Sequence, residues 1–212
     1  MECGVKELKG RFEERLSLVK GLDRAAMTRT EKRWDRIAKP LKSLGLLERN
    51  VTKIGGIQGT EKPQIGKRAL IAMCADNGVV AEGVTQTGME VTAVVARNMA
   101  EGATTVTVMA EAAGVDVFPV DIGMVTEGAC ISGIPEEREA LVPRTLLARK
   151  AARGTRNFAK GPAMSPEEAL RAVLTGLEIA GRLKEQGYEI LATGEMGIGN
   201  TTTSSAGAAA LL

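Results

Sequence analysis

The sequence predicts an α/β fold built on a parallel sheet, and three short runs are the basis for it. Ala69–Cys74 is continuously apolar, the pattern of a strand covered on both faces. Val115–Asp121 and Tyr188–Ala192 are the other two strand-like runs. Each run ends in a polar or glycine-rich turn: Asp76-Asn77-Gly78, Asp121 with Gly123, and Thr193 through Thr201. Helical patterns fill the intervals, and strand, helix, strand with glycine turns after the strands is how parallel sheets are written in sequence.

The elements follow in order. Leu8, Phe12, Leu16 and Val19 recur at helical spacing, Gly21 interrupts them, and a second helical piece begins near Thr30. Lys39-Pro40-Leu41 reads as an extended break. Gly55, Gly56, Gly59, Pro63 and Gly66 crowd a turn-rich linker. Residues 1–60 are therefore expected to form a small N-terminal helical part, and residues 61–212 the α/β domain. Glu90–Met99 and Thr104–Ala113 read as helices, the second stopped by Gly114. Pro119 argues against the middle strand pairing on both sides, because proline donates no backbone hydrogen bond. Residues 124–160 read as irregular. Ser165-Pro166-Glu167-Glu168 is a capping box with proline at the first helical position, opening a helix whose apolar face is Leu170, Val173, Leu174, Leu177 and Ala180. Gly187 ends it, and an alanine-rich helix is expected from about Thr202. That last helix carries no basic final turn and no glycine stop, so the domain reads as incomplete; a frayed terminal helix is the other reading.

Composition narrows the chemistry. The 212 residues contain no histidine, which excludes a Ser-His-Asp triad, a histidine general base and the usual zinc hydrolase layouts. Acid–base work falls to Asp, Glu, Lys, Cys, Tyr or the substrate. Phe12, Trp34, Phe118, Phe158 and Tyr188 are the only aromatics, too few for a base-stacking single-strand binder, and a net charge of +2 implies no polyanion partner. Cys3, Cys74 and Cys130 are odd in number and form no C-x-x-C pair, which fits a reducing cytoplasm. No apolar run approaches the ~18 residues of a membrane span.

Ligands of open α/β sheets lie at the carboxyl ends of the strands. Three loops qualify: 75–90, 121–134 and 193–201. The last carries Gly194, Gly197 and Gly199 before the capping residues Asn200, Thr201 and Thr202. Unpaired N–H groups at that helix start would favour a phosphate. The spacing is neither G-x-G-x-x-G nor a Walker loop, and a plain tight turn accounts for it as well. Asp76 and Asp121 follow strands and suit ribose hydroxyls, a cation or a base, or simply turn formation. Glu195 sits within the glycine segment, where a carboxylate would turn from a phosphate to another part of the ligand. With so few aromatics, a heterocycle would rest on Met89, Met196 and Val95, whose default role is core packing.

Several of these segments together resemble the nicotinate-nucleotide–dimethylbenzimidazole phosphoribosyltransferase family. They are Ala75-Asp76-Asn77-Gly78-Val79-Val80-Ala81-Glu82-Gly83-Val84, then Glu90-Val91-Thr92, Gly161-Pro162-Ala163-Met164 and Gly194-Glu195-Met196-Gly197-Ile198-Gly199-Asn200-Thr201-Thr202. Lys39-Pro40, Ser43-Leu44-Gly45 and Leu47-Glu48 resemble its N-terminal segment, and the likeness runs from about residue 30 onward. It implies a Rossmann-like parallel α/β domain with a smaller helical part, a homodimer, and no cofactor or metal. The implied substrates are nicotinate mononucleotide and 5,6-dimethylbenzimidazole or a related base; the products are α-ribazole 5′-phosphate and nicotinate, for cobalamin nucleotide-loop assembly. Residues Glu195, Met196, Gly197, Ile198 and Gly199 would meet the mononucleotide phosphate through backbone N–H groups, with Asn200 and Thr201 behind them. The segment Thr85–Val95, with Thr87, Glu90 and Val95, would line the base pocket beside Met196. The family's catalytic glutamate falls beyond Leu212, so no residue here matches it, and the chain reads as the family's sequence without its C-terminal third. Alone it is expected to be inactive. A non-catalytic nucleotide-binding subunit of the same family is the alternative. Asn77 stands where many members have histidine, and Val95 where some have a polar group, which opens the base pocket to a purine or a phenol.

Overall fold

A computed structural model describes residues 2–126 and 140–212. Its contacts divide the chain into two compact units, Met1–Phe12 with Gly66–Leu212 and, separately, Glu13–Ile65. The expected boundary after residue 60 thus compares with a division at Ile65.

The smaller unit is helical. α1 (Glu2–Ser17) enters it, followed by α2 (Arg24–Asp35) and α3 (Leu46–Gln58). Asp23 caps α2 by accepting from the Ala26 N–H at 2.9 Å. Gly55 and Gly56 depart from the linker reading: they lie inside α3, which ends only at Gly59. The reason is packing. A Cβ on Gly55 would sit 2.5 Å from Thr30 Oγ1, and one on Gly56 2.5 Å from Met27 Cγ. The glycines let α2 and α3 touch rather than break the helix.

The larger unit holds β1 (Arg68–Ala75), α4 (Glu90–Glu101), α5 (Thr105–Ala112), β2 (Val115–Gly123), β3 (Leu147–Ala148), α6 (Pro166–Glu185), β4 (Ile190–Met196) and α7 (Asn200–Leu211). The strands make one parallel sheet in the order β3-β2-β1-β4. Both faces are covered, as a parallel sheet requires. Ala69, Ile71, Phe118 and Val120 pack with Ile179 and Leu183 of α6 on one side. Ala72 and Cys74 pack with Ala93, Ala96 and Met99 of α4 on the other. The ring of Phe118 meets Tyr188 edge-on, with centroids 5.6 Å apart. Among the described residues no helix is long and apolar enough to cross a membrane.

Three boundaries differ from expectation. Residues 124–160 are not wholly irregular, since β3 lies among them, although residues 127–139, with Cys130, fall outside the described part. Pro119 sits in a strand paired on both sides, yet the outer ladder takes in only Val120 and Asp121. The carbonyls of Val117 and Asp121 accept from Arg144 and Arg149 on that outer side. By the two-residue alternation of a strand, the nitrogen of Pro119 faces outward too, where no ladder bond is lost. Finally, β4 runs on to Met196, so half of the expected glycine loop is strand, with Glu195 opposite Met73 and Met196 opposite Cys74.

Candidate functional site

Strand order reverses between β1 and β4, because the chain builds outward from β1 through β2 and β3 before returning to the other side of β1. The carboxyl ends of β1 and β4 flank this switch point, where open α/β sheets hold ligands. Here the backbone comes unusually close. A Cβ on Gly197 would lie 2.2 Å from the Ala75 carbonyl, and one on Gly78 2.5 Å from the Thr155 carbonyl. Glycine is required at both positions for steric reasons. Segments 75–78, 154–156 and 197–199 thereby converge.

Side chains fix the convergence. Asn77, buried at the end of β1, donates from Nδ2 to the Ile198 carbonyl at 3.1 Å and accepts at Oδ1 from the Thr203 hydroxyl at 2.9 Å. Thr92, fully buried on α4, accepts from the Ile198 N–H at 3.1 Å. The peptide groups on both sides of Ile198 are thus held. Gly199 takes the left-handed conformation with φ 85° and leads into α7 without any side-chain cap. Asn200 does not cap that helix as expected. Its amide is engaged with the Glu195 carboxylate. The N–H of Asn200 turns back to the Gly197 carbonyl at 3.0 Å. Among the described residues, the N–H groups of Gly197, Gly199, Thr201 and Thr202 have no acceptor. This is an anion-favouring helix start with its donors open.

The carboxylates of the two aspartates hold a different turn. Asp76 and Asp121 are both buried, and each accepts from the next segment: Asp121 from the Met124 N–H at 2.8 Å, Asp76 from the Val125 N–H at 2.7 Å. They brace the turn after β2. Lys150 lies 3.3 Å from Asp121. Asp76 Oδ1 is buried and has no partner among the described residues, the one acceptor in this pair left over after bracing. Partial desolvation lifts the Glu195 carboxyl above its ordinary range, and the Asn200 amide pulls it partly back. Among the described residues no three of Cys, Asp or Glu gather into a metal-ligand set.

Of the remaining candidates, Thr87 and Glu90 are exposed, the first in the turn before α4 and the second opening that helix. Val95 and Met196 border the same apolar cluster, the one in which Ala72 and Cys74 of β1 meet α4. Arg156 is committed to Glu168 at 2.9 Å. Nothing within the glycine segment itself points to the clamp formed by Asn77, Thr92 and Thr203. One signal for it was present: Thr92 shares an apolar helical stripe with Ala96 and Met99, and a hydroxyl there needs a partner.

Comparisons with known proteins agree with this geometry. Residues 19–212 match a family model described as Phosphoribosyltransferase. The nicotinate-nucleotide–dimethylbenzimidazole phosphoribosyltransferase of Ruminiclostridium cellulolyticum is 42% identical over 201 residues, covering 95% of this chain and 53% of that protein. The one from Clostridium acetobutylicum is 42% identical over 193 residues, covering 91% and 51%. The crystal structure of the Thermus thermophilus enzyme superposes with a TM-score of 0.73 at 39% identity, over 85% of this chain and 51% of that one. The chain spans about half the length of the curated relatives it matches, less than the two-thirds expected from motif order. On the family match over residues 19–212 and these identities, the chain belongs to the phosphoribosyltransferase family of the nicotinate-nucleotide–dimethylbenzimidazole enzymes.

Proposed function

We propose that this chain supplies the mononucleotide-binding half of a phosphoribosyltransferase. The reaction moves ribose 5-phosphate from nicotinate mononucleotide to 5,6-dimethylbenzimidazole or a related lower-ligand base, giving α-ribazole 5′-phosphate and nicotinate. The observation that carries this reading is the start of α7 at the switch point, with the Gly197, Gly199, Thr201 and Thr202 N–H groups open. These donors and the helix dipole take the 5′-phosphate. Asp76 Oδ1, buried and unpartnered, is the acceptor for a ribose hydroxyl. The base rests against Met196 and Val95, with Thr87 and Glu90 at the rim. Asp121 supports the site by bracing the turn after β2.

The bond from C1′ to the pyridinium nitrogen breaks, and its electron pair neutralises the nitrogen, so nicotinate leaves without acid help. One benzimidazole nitrogen bonds C1′ from the opposite face, and the other gives its proton to a carboxylate base. No residue among these 212 is assigned as that base. We further propose a cytoplasmic homodimer, as the family resemblance implies.

The test is calorimetric. Nicotinate mononucleotide binds the chain, and nicotinate riboside, which lacks the phosphate, binds at least about tenfold more weakly, the loss expected for charge-assisted hydrogen bonds. Incubation with mononucleotide and dimethylbenzimidazole, read by mass spectrometry, gives no ribazole phosphate from the chain alone. Equal affinity for the two ligands would overturn the reading.

A further inference from the structure

Phosphate-loop glycines give a backbone freedom to approach a ligand, but freedom alone does not aim its N–H groups. Something must hold the loop while it is empty. In this fold that task falls to side chains outside the loop. Ile198 lies between Gly197 and Gly199, and its peptide is gripped from both directions: its N–H by Thr92 at 3.1 Å and its C=O by Asn77 at 3.1 Å. The grip extends into α7, because the same Asn77 amide accepts the Thr203 hydroxyl at 2.9 Å. Three elements are tied by one residue: the end of β1, the loop and the first turn of α7.

The consequence for ligand reading is specific. The Ile198 N–H is spent on Thr92 and cannot serve a phosphate. The Ile198 carbonyl shares its peptide plane with the Gly199 N–H, so holding that carbonyl fixes the direction of a donor that is left open. We infer that Asn77 is a positioning residue for phosphate recognition, setting the direction of the Gly199 N–H through the Ile198 carbonyl and holding the first turn of α7, with its open Thr201 and Thr202 N–H groups, through the Thr203 hydroxyl. It touches no reacting atom. Its donor amide is essential. An aspartate of the same size would keep the acceptor for Thr203 but set a carboxylate oxygen against the Ile198 carbonyl.

This inference rests on the phosphate-binding reading above, and its experiment separates the two. Dissociation constants for nicotinate mononucleotide and nicotinate riboside are measured by calorimetry on the 212-residue chain and on the variants Asn77→Asp and Thr203→Val. The expected result is a loss of phosphate preference: the mononucleotide-to-riboside affinity ratio falls about tenfold or more in Asn77→Asp and about fivefold in Thr203→Val, the size of one lost hydrogen bond. Riboside affinity stays within about twofold. Amide exchange at residues 198–203 quickens in both variants while that of β1 and β2 holds. Should Asn77→Asp fail to fold, Thr203→Val, which removes only a hydroxyl, decides the matter. A ratio unchanged in the folded variants overturns the positioning role and leaves the phosphate site standing. An equal loss for both ligands also overturns it, since that is the signature of general destabilisation. A wild-type chain without phosphate preference overturns the site itself, and the positioning role with it.

Discussion

β2 and β4 flank the same central strand, yet they are built to different ends. β2 is buried along most of its length, backed by β3 outside and by helices on its faces, with Phe118 and Val120 fully covered. β4 pairs only with β1 among the described strands, exposes Leu191, Ala192, Thr193 and Glu195, and leads into α7, none of whose residues is buried. Even their carboxyl ends differ. Asp121 and one oxygen of Asp76 are spent in bracing the turn after β2, whereas the loop after β4 is held by Asn77 and Thr92 and keeps its own donors open. One flank of the sheet therefore supplies stability and the other supplies the surface for a ligand.

The largest expected effect tests the first half of that contrast. Phe118→Ala empties the centre of the apolar cluster between sheet and α6 and should cost about 3–5 kcal/mol in urea unfolding. Leu191→Ala on β4 should cost about 1 kcal/mol or less, because the side chain is already 37% exposed. Equal costs would mean that β4 is as deeply covered as β2.

Smaller, and sharper, is a pair of glycine substitutions on the ligand flank. Gly197→Ala drives a methyl into the Ala75 carbonyl and should lose about 1–3 kcal/mol of stability. Gly207→Ala, in the middle of α7 with open space around it, should gain about 0.4–1 kcal/mol, as alanine does at a compatible helical site. Thermal unfolding reads both. If both substitutions destabilise, α7 is packed against more than the glycine contacts indicate.

These contrasts also mark how far the sequence was legible. The parallel sheet could be read because β1 is an unbroken apolar run and because α6 announces itself with a capping box, observed as Ser165 accepting from the Glu168 N–H at 3.2 Å. The glycine segment could be read as a candidate site for the same local reason. What could not be read was anything that depends on residues far apart in the chain. Gly55 and Gly56 look like linker residues until Thr30 and Met27 are laid against them. Asn77 looks like one more turn residue until Ile198 and Thr203, over a hundred positions away, are found on either end of its amide. Half of the glycine segment became strand because pairing with β1 overrode its turn-like composition.

Two glutamates carry the comparison into pH dependence, with opposite signs. Glu195 on β4 has a carboxyl raised by partial desolvation, so its protonated form is favoured in the folded chain. Its contribution to stability is fully present below the unfolded carboxylate pKa and declines as pH rises through the folded value. Glu195→Gln should therefore flatten a decline on the alkaline side of the ordinary carboxylate range, followed as unfolding midpoint against pH. A steeper decline in the variant would contradict the desolvated placement of this side chain.

Glu168, in the capping box of α6, should show the reverse and the smallest effect. The Ser165 N–H, first, and the Arg156 guanidinium, second, hold its carboxylate, lowering its pKa from 4.5 to about 2. A depressed folded value means that the contribution is complete above the unfolded pKa and disappears as pH falls from 4.5 towards about 2. Solvent screens the pair with Arg156, whose side chain is 55% exposed, so most of the effect belongs to the Ser165 N–H, which is geometrically fixed by the cap. Glu168→Gln keeps an acceptor for that N–H but cannot titrate. It should lose part of the acid limb of the unfolding profile while leaving the neutral plateau nearly level. Arg156→Lys should change less than Glu168→Gln, because the cap survives it. If the arginine substitution removes the acid limb instead, the charge pair and not the helix cap sets the pKa, and α6 is anchored to the 154–156 segment more tightly than its exposure suggests.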